Sequence, residues 1–433
     1  MSKINSDGRR NFIKKSTTAA LGGALLNAFP YNSYAYSSSD QIIKIGLVGC
    51  GGRGTGALFE ALNASPNVRV VAIADAFEDK ANNALVALKQ HYNEQCDVTT
   101  KTMFVGFDAF EKVIELSDAV ILATPPPFRP KHFETSIKAG KHVFMEKPLA
   151  VDVPGFNKIV EIGKLADKKR LNVVVGLQFR YDIGNKEIVS RIHEGEIGEL
   201  NSISTYYNVG TPKVLTREPQ QTEMEFQVRN WRYFTWLWGG QLAGQAIHQI
   251  DMMNWVMDDF PIKAIGNGGR LVYSGVDNGD VYDHFFIEYE YKNGIKMHSQ
   301  SRNMDHCTDK MGWVVKGTKG MANDRNQFLD LNGKSYWRYR DRDDLGATQI
   351  EQNVFIESIL KGRHVNDTEY GAKSTLTTIM GRMAAETGRE ITMTELLESK
   401  ESIVPDDMSW NSKSIKFPDK NGNYFIAKPG IQK

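Results

Sequence analysis

The first part of the chain alternates short apolar runs with segments in which apolar residues recur every three or four positions. The runs predict β-strands and the periodic segments predict helices. Strands and helices that alternate in this way are typical of a parallel sheet with helices on both faces. The predicted strands are 42–48, 68–74, 103–105, 119–123 and 142–145, and the predicted helices include 77–91, 110–116 and 132–139.

The second part of the chain has a different pattern, dominated by runs rich in aromatic and β-branched residues. These runs predict strands at 201–209, 264–273, 284–291 and 296–302, followed by helices at 353–360 and 372–385. A chain of 433 residues is also too long for one ordinary domain. We therefore predict an α/β protein with a leader at 1–35 and two domains at 40–170 and 171–433.

The leader begins with a basic segment, 9–14, which starts with two arginines and is followed by a short, mildly apolar stretch at 16–29. This order predicts a removable signal peptide that is too short to span a bilayer. The arginine pair resembles a twin-arginine signal, although Gly8 stands where a Ser or Thr is usual. Ser33 and Ala35 suit a cleavage site. We predict a periplasmic or otherwise exported protein.

The composition and net charge of the chain exclude some classes of binding partner. The chain is 41% hydrophobic and 24% charged, which is typical of a soluble globular protein. A net charge of +1 argues against nucleic acid as a partner. The chain contains no apolar stretch of 20 residues, so membrane insertion is not predicted. Cys50, Cys96 and Cys307 are far apart in the sequence, and no cluster has metal-ligand spacing, so no metal is predicted.

The most informative motif is Gly49-Cys50-Gly51-Gly52-Arg53-Gly54, which lies between the first predicted strand and a helix. Gly49 permits a tight turn, Gly51 lets the backbone approach a pyrophosphate, and Gly54 lets helix and strand pack closely. The phosphates would bind to free N–H groups at the start of the helix. The motif predicts a dinucleotide site that includes Gly52 and Arg53.

Other residues extend this site. Asp75 ends the second strand, where a carboxylate can accept hydrogen bonds from a ribose diol and repel a 2′-phosphate. It therefore favours NAD over NADP. Thr124 and Pro125 follow another strand, on the side of a parallel sheet where ligands bind.

Several motifs together carry a resemblance to a known family. They are Glu146-Lys147-Pro148 after a strand, Thr124-Pro125, the glycine motif, and then Gly239-Gly240, His248, Asp251 and Trp255. In these the chain resembles the glucose–fructose oxidoreductase / inositol dehydrogenase (Gfo/Idh/MocA) family. The resemblance implies a Rossmann dinucleotide-binding domain and a C-terminal α/β domain with a large, open, mostly antiparallel sheet. It also implies a homo-oligomer and a cis bond before Pro148.

The resemblance also implies catalytic roles. Lys147 would lie beside the nicotinamide with Glu146 and polarise a substrate oxygen, and His248 would act as general base, which contributes typically ~10²–10⁴-fold. Asp251 would either orient His248 or pack the helix. Many family members have an aspartate where this chain has Gly244, so Gln245 is the nearest polar substitute to contact a substrate.

The substrate site is less defined. By resemblance, Gln178, Arg180 and Tyr181 would line the cleft. Trp231 belongs to an aromatic segment that suits either a sugar face or a core. The loop at 210–225 is either a lid or a solvated insertion.

An exported enzyme has no free NAD pool, so the cofactor is expected to be tightly bound and regenerated in place. We predict NAD-dependent oxidation of a ring hydroxyl in a carbohydrate or glycoside. The alternatives are a redox-neutral NAD-dependent glycosidase, which oxidises, eliminates, adds water and reduces, and a non-enzymatic NAD-binding sensor.

Overall fold

The computed structural model describes residues 41–340, 345–413 and 415–430. The predicted leader at 1–35 lies outside these residues. Within them, no helix is both long enough and apolar enough to cross a membrane.

The first sheet has six parallel strands in the order β3-β2-β1-β4-β5-β6. This is the strand order of a Rossmann fold, as predicted. The last strand lies beyond the predicted boundary at 170, so the first domain extends further along the chain. The strands are β1 Ile43–Val48, β2 Val68–Asp75, β3 Met103–Val105, β4 Ala119–Leu122, β5 His142–Met145 and β6 Val173–Val175.

Helices cover both faces of this sheet because its strands are apolar on both sides. Five lie within the first domain: α1 Gly52–Ala64, α2 Glu78–His91, α3 Ala109–Leu116, α4 Arg129–Lys138 and α5 Val153–Lys169. On one face, Ile45 and Leu47 share a core with Leu58 of α1 and Leu88 of α2. On the other face, helices α3, α4 and α5 pack against the sheet.

The second sheet has nine strands in the order β14-β13-β12-β11-β7-β10-β9-β8-β15. Strands β7 and β10 are parallel, and every other neighbouring pair is antiparallel. The prediction of a large, mostly antiparallel sheet is therefore confirmed. Its strands are β7 Leu200–Val209, β8 Lys263–Gly269, β9 His284–Glu290, β10 Lys296–Asn303, β11 Lys310–Gly317, β12 Met321–Asn323, β13 Gln327–Leu329, β14 Ser335–Arg338 and β15 Ile391–Thr392.

Seven further helices accompany this sheet: α6 Ile183–His193, α7 Glu223–Arg229, α8 Thr235–Trp238, α9 Ile247–Met257, α10 Ala347–Leu360, α11 Thr368–Thr387 and α12 Met393–Glu398. Helices α9 and α11 share the core with the inner face of the sheet, which includes Ile287 and Met297. Helix α10 instead returns to the first domain, where Phe355 and Ile356 join the core of α1. The second part of the chain thus contributes to both domains.

A third hydrophobic core joins segments that the sequence pattern left unassigned. We call it the cap, made of residues 210–238, 270–283, 400–413 and 415–428. Phe77 and Phe128 of the first domain also belong to this core. The loop at 210–225 is consequently partly packed rather than fully solvated. Core members from the cap include Met224, Phe226, Trp236, Trp238, Tyr273, Ile415 and Tyr424.

Candidate active site

A cavity of about 760 Å³ lies at the carboxyl ends of the first sheet's strands. One wall, the nucleotide wall, consists of first-domain residues that include the glycine motif, Asp75 and Lys147. The opposite wall, the substrate wall, consists of residues from the second sheet, the cap and the start of α9. Both parts of the chain therefore contribute to one site.

The glycine motif has the geometry that its spacing predicts. Gly49 has φ +99°, and a side chain there would lie 2.7 Å from the backbone nitrogen of Thr124. A Cβ on Gly54 would overlap the carbonyl oxygen of Gly49. Nothing lies within 4 Å of a Cβ on Gly51 or Gly52, so the space above the loop is open for a ligand. The loop therefore fits a pyrophosphate at the start of α1.

Asp75 lies at the end of β2 and also holds the glycine loop in place. Its Oδ2 accepts a hydrogen bond from the backbone N–H of Cys50 (2.7 Å), and its Oδ1 accepts from Phe77 (3.0 Å). Burial raises the pKa of this carboxyl. Because Asp75 lines the cavity, the same carboxylate remains placed to meet a ribose.

Arg53 lines the cavity, and its guanidinium also contacts three acidic side chains of the protein. It contacts Glu146 at 2.5 Å, Glu351 of α10 at 3.1 Å and Glu60 at 3.2 Å. Burial raises the pKa of Glu351 well above its usual value, so Glu146 and Glu60 are the main negative charges beside Arg53. These contacts tie the glycine loop to Glu146 and α10, and a direct contact of Arg53 with the cofactor stays a prediction.

Arg129, which the sequence analysis missed, joins the two loops that follow β4 and β5. Its buried guanidinium donates hydrogen bonds to the carbonyl oxygens of Thr124 (2.6 Å) and Pro148. Burial lowers its pKa to about 10. The bond between Lys147 and Pro148 is cis, as the resemblance implied. Arg129 begins a helix next to a proline, and no motif distinguishes it from an ordinary surface arginine.

Lys147 spans the cavity from the nucleotide wall. Its Nζ donates a hydrogen bond to the carbonyl oxygen of Gly244 on the opposite wall (2.8 Å). Removal from water lowers its pKa to about 8, although the charge of Glu146 opposes this effect. The amine thus changes its charge near neutral pH.

Gly244 lies in a short π-helix, Leu242–Ala246, directly before α9. A Cβ at this position would overlap the indole of Trp238, with the indole nitrogen nearest. The indole therefore occupies the space that a side chain at 244 would need. Trp238 also lines the cavity, so a neutral N–H donor lies close to Gly244, where the resemblance implies an aspartate in many family members.

Two polar side chains follow Gly244 on the substrate wall. His248 lines the cavity, and its buried Nδ1 has no hydrogen-bond partner among the described residues. Burial, aided by the charge of Lys147, lowers the pKa of His248 well below its usual value, so the imidazole is neutral at neutral pH. Gln245 lines the same cavity, and its buried Oε1 also lacks a partner.

Four predicted substrate residues do not line the cavity: Gln178, Arg180, Tyr181 and Asp251. Arg180 and Asp251 form a buried bidentate ion pair (2.9 and 3.0 Å), and Asp251 also accepts from Ser374 (2.6 Å). Asp251 therefore does not orient His248, because its carboxylate faces α11 instead. The hydroxyl of Tyr181 donates to buried Asp367. Contacts with α9, with α11 and with Asp367 directly before α11 account for Arg180, Tyr181 and Asp251.

The remaining predicted residue, Trp231, does line the cavity. It is joined there by Tyr207, Lys213 and Arg232, none of which was predicted as a site residue. The described residues contain no group of three His, Cys, Asp or Glu side chains that could hold a metal ion.

Two family profiles match this chain. One, described as an oxidoreductase family with an NAD-binding Rossmann fold, matches residues 43–177, and the other, the GFO/IDH/MocA C-terminal domain, matches residues 186–323. The chain belongs to the Gfo/Idh/MocA family. Its first domain is accordingly an NAD-binding Rossmann domain.

Relatives of this Gfo/Idh/MocA protein include proteins named as inositol dehydrogenases. Inositol 2-dehydrogenase of Rhizobium meliloti (strain 1021) is 24% identical over 286 residues, which cover 66% of this chain and 76% of the relative. Inositol 2-dehydrogenase 3 of Saccharopolyspora erythraea is 28% identical over 223 residues, covering 51% of this chain. That match spans only 56% of the relative's length.

Solved structures share the fold at lower identity. Aldose-aldose oxidoreductase from Caulobacter crescentus, complexed with glycerol, has a TM-score of 0.63 at 19% identity and covers 82% of this chain and 100% of its own. GenD2 from gentamicin A biosynthesis, in complex with NAD, has a TM-score of 0.61 at 17% identity and covers 82% of this chain and 97% of its own. These likenesses extend to both domains.

Proposed function

We propose that this protein is an NAD-dependent oxidoreductase that oxidises a ring hydroxyl of a carbohydrate or cyclic polyol. The observation that carries the proposal is the convergence of Lys147 and His248 on the cavity that also contains the glycine motif and Asp75. Family membership and the inositol dehydrogenases among its relatives support a small polyhydroxylated substrate.

The nucleotide wall fits the cofactor. Gly51 and Gly52 leave open space at the start of α1 for a pyrophosphate, and Asp75 can accept hydrogen bonds from a ribose. A carboxylate at this position supports NAD rather than NADP. When bound, NAD would supply the hydride acceptor.

The residues near the cavity centre supply proton chemistry. The ammonium of Lys147, now bonded to Gly244 O, can donate to the oxygen of a substrate hydroxyl and orient it. The neutral imidazole of His248 can accept the proton that leaves this hydroxyl, since His248 lines the cavity and burial lowers its pKa. Gln245 lines the same cavity and can hydrogen-bond a neighbouring hydroxyl.

We also propose export through the twin-arginine-like leader, with NAD retained during folding, and assembly into a homo-oligomer. The outer face of the second sheet supports assembly, because Ile265 and Phe286 expose about half of their surface there (47% and 46%). Fractionation of cells that express the full chain tests export. Light scattering of the purified protein tests assembly.

The decisive test combines a spectroscopic and a product assay. Purified protein is loaded with NAD and mixed with inositols, aldoses and simple glycosides, while the near-ultraviolet absorbance of NADH is recorded. We expect NADH to form with at least one substrate, and mass spectrometry to find a product two hydrogens lighter. A free aglycone without net NADH would instead indicate the redox-neutral glycosidase.

Two variants make this test specific. Lys147→Gln should reduce hydride transfer by about 100-fold or more, as for loss of a group that acts on the reacting atoms, while NAD stays bound. Lys164→Gln is the matched control, because Lys164 is an exposed residue of α5 outside the cavity. Failure of the NAD-loaded protein to oxidise any compound of the panel would favour the non-enzymatic sensor.

A further inference from the structure

The charges that line the cavity are strongly unbalanced. Seven Lys and Arg side chains line it, against two carboxylates, Asp75 and Glu146. Both carboxylates belong to the nucleotide wall. Arg53 and Arg229 are already balanced, since Arg53 contacts three carboxylates and Arg229 contacts Asp79 and Glu225. The excess positive charge therefore lies elsewhere in the cavity.

Two of the remaining cations, Lys213 and Arg232, belong to the substrate wall. Both residues are exposed and line the cavity, and neither forms an ion pair within the described residues. The nearby carboxylate of Asp305 does not line the cavity, and its Oδ1 accepts a hydrogen bond from the backbone of Thr211 (2.8 Å). Neither cation therefore has a carboxylate within ion-pair distance among the described residues.

The fold brings these two cations to the same part of the wall. The buried residue Tyr233, directly after Arg232, donates a hydrogen bond from its hydroxyl to the carbonyl oxygen of Pro212, directly before Lys213. The guanidinium of Arg232 also stacks over the ring of Trp231, 4.8 Å from its centroid. Trp231 lines the cavity and offers an aromatic face to a sugar ring.

Arg232 and Lys213 line the same cavity as Lys147. The positive charge of Arg232 helps to lower the pKa of Lys147, after burial and the charges of Arg53 and Arg129. The pyrophosphate of NAD, by contrast, is expected at the glycine loop of the nucleotide wall.

We propose that the substrate is an acidic sugar whose ring bears a carboxylate, such as a uronic acid, and that Arg232 and Lys213 bind this carboxylate. A planar guanidinium matches a carboxylate in geometry, and a lysine beside it adds charge. This inference rests on the proposed function, since it places the carboxylate relative to a hydroxyl held at Lys147.

The first experiment measures binding rather than turnover. NAD-loaded protein is titrated by calorimetry with D-glucuronate and D-galacturonate, and with their neutral counterparts D-glucose and D-galactose. Glucose 6-phosphate tests whether any anion suffices. We expect at least one uronate to bind about ten times more tightly than its neutral counterpart, with affinity that falls as salt rises. The proposal is overturned if acidic and neutral sugars bind with equal affinity, or if no acidic sugar binds.

Variants then test whether Arg232 and Lys213 contact the carboxylate of the sugar. Arg232→Gln and Lys213→Gln should each weaken binding of the acidic sugar, with Arg232→Gln costing about 10- to 100-fold, as for loss of a charge-assisted hydrogen bond. Binding of neutral sugars and NAD should stay within about twofold, and Lys164→Gln should change nothing. A loss of NAD affinity in Arg232→Gln would show that Arg232 serves the pyrophosphate, and would overturn the proposal.

The two proposals can fail separately. If acidic sugars bind through Arg232 but none reduces NAD, the acid site stands and the oxidoreductase proposal fails. If neutral sugars are oxidised as fast as acidic ones, with equal KM, the oxidoreductase stands and the acid site fails. Binding and turnover together therefore decide both.

Discussion

The two walls of the cavity differ in how their polar groups are satisfied. On the nucleotide wall, Asp75, Arg53 and Arg129 all hydrogen-bond other parts of the protein, although the buried Nε of Arg129 has no partner among the described residues. On the substrate wall, His248 Nδ1 and Gln245 Oε1 are buried without partners among the described residues. Buried polar atoms without partners are costly, and a substrate that hydrogen-bonds them would recover that cost.

The difference indicates that the two walls bind different ligands. A preformed wall suits a cofactor that is the same in every turnover, whereas free polar groups suit discrimination among sugars that differ by one hydroxyl. Lys147 connects the walls through its hydrogen bond to Gly244. Changes on the two walls should therefore have separable effects on cofactor and substrate.

The largest expected effect comes from adding one methyl group to the nucleotide wall. In Gly54→Ala the new Cβ overlaps the carbonyl oxygen of Gly49, so the glycine loop must move away from α1. We expect NAD affinity to fall by at least about 100-fold and stability to fall by about 1–3 kcal/mol, as for overpacking. Calorimetric titration with NAD and denaturant unfolding measure the two effects.

Gly56→Ala is the matched control in the same helix. Nothing lies within 4 Å of its added Cβ, so the change should leave NAD affinity intact and stabilise the protein by about 0.5–1 kcal/mol. Equal effects of the two substitutions would show that helix α1, rather than the close contact with Gly49, determines cofactor binding.

The nucleotide wall was also the more predictable one, for a physical reason. Gly49, Gly54 and Asp75 act through their own backbone or at the end of their own strand, so local spacing determines where they lie. The strands and helices around them were predicted to within a few residues. Arg53 is the exception, because its partner Glu351 lies in α10, which no local pattern connects to the glycine loop.

The substrate wall depends on contacts between distant segments, and prediction there was less accurate. Arg180 and Asp251 are polar residues close to His248 or the cleft in the predicted pattern. In the structure they form an ion pair with each other and do not line the cavity. Arg232 and Lys213 line the cavity because a buried hydrogen bond of Tyr233 joins their segments. The cap, built from three separate segments and two first-domain phenylalanines, could not be predicted from periodicity.

A second prediction tests the contact between Trp238 and Gly244. Gly244→Ala forces the indole of Trp238 to move, and overpacking of this kind costs about 1–3 kcal/mol. It should also lower kcat/KM by about tenfold, since the Gly244 carbonyl oxygen holds Lys147, while NAD affinity changes little. Urea unfolding, steady-state kinetics and NAD titration measure these effects.

A double-mutant cycle sharpens this prediction. In the Trp238→Phe background the smaller ring leaves more room, so Gly244→Ala should cost at least about 1 kcal/mol less than in the wild type. If the stability costs of the two substitutions were additive, the indole of Trp238 would not restrict the size of the side chain at residue 244. The substrate wall would then have room for a side chain at residue 244.

The smallest effect is a pH dependence that tests which wall provides the base. Because removal from water lowers the pKa of Lys147 to about 8, its ammonium prevails below pH 8 and its neutral amine above. If the ammonium donates to the substrate oxygen, kcat/KM for oxidation should fall about tenfold per unit above pH 8. The pKa of His248 is lowered well below 6.5, so its neutral form should be available throughout this range. Lys147→Arg should be slower but lack the fall, since a guanidinium keeps its proton. A rate that instead rises through pH 8 would make Lys147 the base and remove that role from His248.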